Sequence, residues 1–381
     1  MREKATMNEV PSAKIDQTIC QQILTIGIDW RKIRGGVAAV EQVYASFFEP
    51  FKFVPTVVDG NKLVKAFVVV RAIILFVWKL STDKAIKIVH VHGSSNASFW
   101  RKRIFIRIAK WYGKKVVYHC HGAIYKEFTA EHRKAVHALI DKVDCVIALS
   151  ESWREWFIEE FGCPYVVVLK NVIPAPQKQA CHHNDGKVHL LFLGALGHRK
   201  GIYDLLDVLI ANKTYYQDKV CLHIGGNGEV DKVKAIIAKE QIGDWVIYEG
   251  WVGGDKKIQL LNEADVYVLP SYNEGLPISV LEALSYELPA ISTNVGGIPE
   301  IVKDGYNGCL IVPGDKEALK RALDSLIGDK ALREEMGKRS PQVIEQHLPA
   351  YVAKQLTALY SILLRPDYEK RKGMLNKVKG G

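Results

Sequence analysis

Short runs of apolar and β-branched residues alternate with longer amphipathic ones along most of the chain. In the first half the short runs are Ile23–Asp29, Phe53–Asp59, Ile86–Gly93, Lys115–Gly122, Cys145–Ser150 and Tyr165–Asn171, all of strand length. Between them apolar positions recur at helical spacing over 34–48, 63–80, 98–112, 129–142 and 151–161. Parallel strands need a crossover connection, so this rhythm predicts a parallel sheet covered by helices.

The rhythm breaks at Pro174-Ala175-Pro176 and the polar stretch Gln177 to Lys187, which read as a linker. It restarts with strands at His189–Leu196, Val220–Gly226, Trp245–Val252, Ala264–Tyr272, Pro289–Val295 and Cys309–Val312. Helices fit 201–212, 229–240, 255–262, 277–287 and 316–328, and 330–364 reads as two helices with Pro349 between them. The expectation is an α/β chain of two doubly wound, Rossmann-like domains, 1–172 and 173–348. Residues 349–381 are expected to form a helix crossing back to the first domain, followed by a basic tail. Ligands of such sheets sit beyond the carboxyl ends of the strands, and a cleft between two such domains is the expected site.

A length of 381 residues suits two domains, and 48% hydrophobic with 25% charged residues is the balance of a globular protein. The seven cysteines show no CxxC pair and mostly lie in apolar runs, which fits reduced core thiols in the cytosol. Cys181-His182-His183 reads as a polar linker tip, because no second ligand cluster is spaced along the sequence to complete a metal site. The first 20 residues are polar and carry no signal-peptide pattern. The most apolar run, Leu63 to Leu80, is broken by Lys65 and Arg71 and falls short of a spanning helix. A net charge of +10 points to an anionic partner.

The chemistry concentrates between Asn273 and Glu282. A strand ends at Leu269, a loop carries Glu274-Gly275, and Pro277 opens a helix, where its missing N–H costs nothing. Amides at a helix start, together with the helix dipole, form an anion site. Gly275 allows a close backbone approach to a phosphate. Glu282 lies in an otherwise apolar helix, and alone it reads equally as a polar group satisfied by a neighbouring loop.

Together these features resemble the Glu-x7-Glu motif of retaining glycosyltransferases of the GT-B fold, specifically glycosyltransferase family 4. The likeness extends over most of the chain, strongest from Val188 to Asp315, and takes in Ala290 to Val302 and Asp304-Gly305 with Gly308. The resemblance implies that Glu274 contacts hydroxyls of the donor sugar and Glu282 those of the ribose. It further implies that the amides of Gly275 and Leu276, beside Pro277, hold the diphosphate.

Other segments fit the same reading. Arg199-Lys200 supplies positive charge where a leaving diphosphate would need it. Lys200 matches the family lysine; the family arginine that follows the first glycine is Ala195 here, which leaves Arg199 as the candidate guanidinium. Gly35-Gly36, after the first strand, resembles the family's N-terminal glycine loop, and no dinucleotide-type Gly-x-Gly-x-x-Gly stands at that junction. Gly226-Asn227 resembles the glycine turn beneath the nucleotide, and the stretch ending at Val252 resembles the one whose backbone reads the base. Neither distinguishes uridine from guanosine. The resemblance puts a histidine near the reacting sugar at His121, with His92 shaping the acceptor side. His90 and His119 are read as structural residues turned the other way by strand alternation.

Trp100 to Lys115 holds seven basic residues and no acid, and its apolar positions recur near helical spacing. It reads as a basic amphipathic helix, 100–115, suited to an anionic membrane surface. No nucleic-acid module is recognised. The expected function is transfer of a sugar from a UDP- or GDP-sugar to a glycan acceptor, lipid-linked, in surface polysaccharide assembly at the inner face of the cell membrane. Neither a cofactor nor a metal is expected. The alternatives are a nucleotide-sugar epimerase or a phosphorylase on the same fold, or a non-catalytic nucleotide-sugar-binding subunit.

Overall fold

A computed structural model describes residues 14–31, 36–58, 60–122, 124–163, 165–179 and 185–368. The chain packs as two compact units, one running up to Val172 and resuming at His347, the other spanning Ile173–Gln346. Each is built on one six-stranded, all-parallel sheet. Cys181-His182-His183, Arg34-Gly35 and the basic tail lie outside the described residues.

The first sheet holds β1 (Ile23–Gly27), β2 (Phe53–Pro55), β3 (Ile88–Gly93), β4 (Lys115–Cys120), β5 (Cys145–Ala148) and β6 (Val166–Val168), in the order β2-β1-β3-β4-β5-β6. Its helices are α1 (Gln17–Cys20), α2 (Gly36–Phe47), α3 (Lys62–Thr82), α4 (Asn96–Trp111), α5 (Tyr125–Ile140) and α6 (Glu151–Phe161). The second sheet holds β7 (Val188–Leu193), β8 (Val220–Gly225), β9 (Val246–Gly250), β10 (Val266–Leu269), β11 (Ala290–Thr293) and β12 (Gly308–Ile311), in the order β12-β11-β10-β7-β8-β9. With it go α7 (Ile202–Ala211), α8 (Lys213–Tyr216), α9 (Val230–Lys239), α10 (Gly254–Glu263), α11 (Ile278–Ser285), α12 (Ile298–Ile301), α13 (Lys316–Gly328) and α14 (Lys330–Arg339). The last helix, α15 (Pro349–Leu364), packs in the first unit on α2 and β3.

Every residue of β3 and of β7 is buried, as expected of strands covered by helices on both faces. The same burial on both faces is why β5 and β10 read as continuous apolar runs rather than as alternation. All twelve expected strands form, several of them shorter at the carboxyl end: Phe53–Asp59 keeps only Phe53–Pro55, and Lys115–Gly122 stops at Cys120. The trimmed residues become the loops at the ligand-binding edge. Pro349 is the first residue of α15 rather than a separator, and two 3₁₀ turns, Ser340–Val343 and Glu345–His347, fill the space before it. α1, α8 and α12 have four residues each, too few for periodicity to reveal.

The basic stretch 100–115 is not the uniformly solvated face the sequence suggests. α4 ends at Trp111, and Lys115 already belongs to β4. Lys102 is buried, donating to Gly27 O (3.1 Å) and Thr56 Oγ1 (2.7 Å). Burial lowers its pKa, while nearby Glu41 pulls it back up. Lys110 pairs with Asp144 at 2.8 Å, and Lys114 and Lys115 donate to the carbonyls of Ile86 and Leu363. Arg107 stays exposed. Lys102 on α4 reaches inward to the Gly27 carbonyl at the end of β1, and a one-dimensional charge count cannot see this.

Candidate donor-binding site

In the second sheet the chain runs from β7 outward to β8 and β9, then returns to the other side of β7 for β10, β11 and β12. The order reverses between β7 and β10, and a ligand crevice opens at such a point, beyond the carboxyl ends of the strands. Lys200 follows β7 and Glu274 follows β10, so the two flank the reversal.

They are in direct contact. The Lys200 ammonium donates to Glu274 Oε1, which also accepts from Ser271 Oγ at 2.8 Å. Glu274 is buried. Burial pulls the Lys200 pKa below the usual lysine range, and the Glu274 carboxylate opposes that pull. Arg199 donates to Asn273 O at 3.0 Å, with a guanidinium nitrogen 3.7 Å from Glu274 Oε1. The amide of Tyr272 donates to Arg199 O at 2.9 Å. Two cations and one oriented carboxylate thus converge on one loop. Gly201 makes this possible: its φ is +71°, and a Cβ there would lie 2.0 Å from Pro270 O.

The Glu274 loop is fastened from β11 and the turn after it. Ser292 and Thr293 hydroxyls donate to Leu269 O (2.7 Å) and Ser271 O (2.6 Å), and Gly297 N donates to Gly275 O at 2.6 Å. Gly296, at φ +55°, presses so closely that a Cβ would lie 1.9 Å from Glu274 O. Leu276 is buried, Pro277 is the N-cap residue of α11, and α11 has no side-chain capping hydrogen bond. A helix start without a side-chain cap, next to a glycine turn and two cations, has the general features of an anion-binding helix terminus.

Glu282 is also buried, one turn into α11, and its Oε1 accepts from Lys257 Nζ of α10 at 2.5 Å. Lys257 could not be picked out along one dimension, because the pair depends on how two helices pack. Lys257→Ala is expected to raise the KM for a nucleotide donor about tenfold with kcat little changed, the mark of lost positioning in the bound state. Equal KM values in mutant and wild type would remove Lys257 from the site.

A second turn completes this edge. Gly226 N donates to Gly250 O (2.8 Å), Asn227 O accepts from Leu196 N (2.5 Å), and Tyr248 OH donates to Gly226 O (2.8 Å). A Cβ at Gly226 would lie 1.8 Å from Gly194 O, so the turns after β7 and β8 lie backbone on backbone. Val252 is buried against Gly225, whose added Cβ would lie 2.6 Å from Val252 Cγ2. Ala195 is exposed at the tip of the first turn. The structure therefore brings Arg199, Lys200, Glu274, Gly275, Leu276 and Pro277 together around one loop. Gly226, Asn227 and Val252 lie on the adjoining turns.

His121 and Gly36 belong to the first unit, Gly36 as the first residue of α2. His121 Nε2 lies 2.9 Å from His92 Nδ1, and burial pushes the His121 pKa down to about 3. The expectation that His90 and His119 point away from this pair is overturned. His90 stacks on His92 (centroids 4.6 Å apart), and His119 lies 4.1 Å from His121. Residues two apart on a strand share a face, so the pairs had to align. Tyr360 OH closes the array at 2.5 Å from His90 Nδ1.

The described residues adopt the two-domain GT-B architecture. The sucrose-phosphate synthase from Thermosynechococcus elongatus superposes with a TM-score of 0.75 at 17% identity, covering 90% of this chain and 98% of that one. Anabaena HepE in complex with UDP gives a TM-score of 0.67 at 15% identity, with 89% and 99% covered. In sequence, residues 175–343 match the group 1 glycosyl transferases and residues 48–175 match glycosyltransferase family 4. The chain belongs to this family of group 1, family 4 glycosyltransferases. An uncharacterised glycosyltransferase of Methanocaldococcus jannaschii is 24% identical over 253 residues, 61% of this chain and 64% of that protein. The amylovoran biosynthesis glycosyltransferase AmsK of Erwinia amylovora is 27% identical over 225 residues, 55% and 54% of the two chains. The matched region thus spans less than two thirds of the length of these relatives.

Proposed function

We propose that this protein transfers a sugar, with retention of anomeric configuration, from a UDP- or GDP-sugar to a glycan acceptor. The contact of Lys200 with Glu274 at the strand-order reversal carries this reading. The diphosphate lies against Gly275, Leu276 and the start of α11, with Lys200 and Arg199 offsetting the charge that develops as the glycosidic bond breaks. Glu274 holds the sugar hydroxyls and Glu282 the ribose. A phosphate oxygen of the leaving group takes the acceptor's proton, so the new bond forms on the face the leaving group vacates. The cations and amides supply the electrophilic assistance without a metal or cofactor. Support comes from the family and from relatives of the amylovoran kind. The test is donor turnover with and without acceptor; unchanged transfer after both Glu274→Ala and Lys200→Ala would refute the assignment.

The acceptor in this reading is lipid-linked, and the first unit meets it at an anionic membrane surface. What supports this is exposed apolar area more than charge. Leu63, Phe67, Val70, Ile74 and Trp78 form one exposed stripe along α3, with Leu63 81% and Phe67 70% accessible. Trp100, Ile104 and Trp111 on α4 are exposed as well, near Arg103 and Arg107. No helix among the described residues is long and apolar enough to cross a membrane. A stripe of this kind lies in the interface plane. Phe67→Ser with Trp78→Ser is expected to lower binding to vesicles containing phosphatidylglycerol by more than about tenfold, since each buried side chain contributes roughly 1.5–3 kcal/mol. Binding that survives the double substitution would exclude α3 as the docking face.

A further inference from the structure

On β7 and β8, His189, Cys221 and His223 turn to one face of the second sheet. His189 Nδ1 lies 3.2 Å from His223 Nε2, and Cys221 Sγ lies 3.5 Å from the same His223 nitrogen. All three candidate ligand atoms fall within 4.8 Å of one another. The outer nitrogen of each ring meets a carboxylate: His189 Nε2 lies 3.2 Å from Asp185 Oδ2, and His223 Nδ1 lies 2.7 Å from Glu249 Oε1.

These carboxylates set the tautomers. Each outer nitrogen carries the proton and each inner one presents a lone pair. Two lone pairs 3.2 Å apart repel unless a proton or a cation lies between them. A tetrahedral Zn²⁺ with usual bond lengths would hold two imidazole nitrogens about 3.3 Å apart, and a nitrogen and a thiolate sulfur about 3.6 Å apart. The observed 3.2 and 3.5 Å match both.

We propose that His189 Nδ1, Cys221 Sγ and His223 Nε2 bind a Zn²⁺ ion, with Asp185 and Glu249 as the carboxylates that orient the two imidazoles. On binding, the Cys221 thiol loses its proton to solvent and the sulfur becomes the anionic ligand. Protons compete with the metal for the thiolate and the two imidazoles, so uptake falls as pH falls. His189 stands five residues before Gly194 on β7, about 16 Å of extended strand from the donor edge. The metal is therefore a clamp across β7 and β8, separate from sugar transfer. Spacing along the sequence hid it, because the ligands come from two adjacent strands.

The experiment titrates the full chain, stripped by chelator, with Zn²⁺ and with Co²⁺. Expected are one equivalent of Zn²⁺ bound with submicromolar affinity, a higher melting temperature, and a thiolate-to-Co²⁺ charge-transfer band. Cys221→Ser abolishes the band, Cys309→Ser keeps it, and Glu249→Gln weakens Zn²⁺ binding about 10- to 100-fold. Absence of the band in the folded wild type, or its persistence in Cys221→Ser, overturns the proposal in favour of a proton held between the two histidines. Neither result bears on donor turnover.

Discussion

Lys200→Ala is expected to lower kcat by about 10²–10³ while the protein stays folded, because in the proposed mechanism it removes a buried cation that offsets the developing diphosphate charge. Lys200 is the more buried of the two cations, its side chain 13% accessible against 49% for Arg199. A cation at a dry site acts on developing charge with less screening than one in solvent. Arg199 is also engaged by Asn273 O, so it cannot move in to substitute without giving up that bond. Glu274→Gln keeps an acceptor for Ser271 and Lys200 but removes the charge. Glu274 raises the Lys200 pKa against desolvation, so in Glu274→Gln that pKa falls further. Protonated Lys200 is the active form, and the alkaline limb of the kcat/KM profile should therefore move to lower pH. The double variant should lose less than the product of the single losses, since the groups act through one contact. Simple multiplication of the two losses, with an unmoved alkaline limb, would mean that Lys200 and Glu274 act independently.

Gly296→Ala should cost about 10² in kcat/KM, although residue 296 bears no functional group. The new Cβ would lie 1.9 Å from Glu274 O and 2.8 Å from Gly275 O, both backbone atoms that cannot rotate aside. The Glu274–Gly275 loop must then shift by an ångström or more, enough to misplace the carboxylate and the diphosphate amides. The left-handed φ of +55° adds strain of about 1 kcal/mol. Gly305→Ala provides the control: its φ is +70°, but its Cβ would meet nothing within 4 Å. Strain alone lowers both melting temperatures and leaves the Gly305→Ala turnover intact. Equal turnover in the two variants would show that Gly296 does not set the loop's position.

Much of this architecture was legible from residue order because parallel strands are buried on both faces. Runs such as Cys145–Ala148 and Val266–Leu269 are apolar throughout and hard to mistake. The Glu274 and Glu282 pair, the Lys200 cation and the glycine turns stand in short contiguous stretches, so they too could be read in one dimension. What escaped depends on adjacency between elements. Lys257 reaches Glu282 from another helix, Ser292 and Thr293 fasten a loop two strands' worth of sequence away, and Lys102 turns inward to strand-end carbonyls. His90 and His119 differ: strand periodicity itself puts His90 on the face of His92 and His119 on the face of His121, which is where the rings meet.

In the proposed function, the carboxyl edge of the second sheet holds a nucleoside diphosphate sugar. Calorimetric titration of the folded chain with UDP and GDP, each alone and as its sugar conjugate, tests it most directly. One nucleotide series should bind with a Kd in the micromolar range, equivalent to about 8 kcal/mol, weakened at least about tenfold in Glu282→Ala and in Lys200→Ala. Failure of both series to bind the wild type, or equal affinity in both variants, would contradict the assignment.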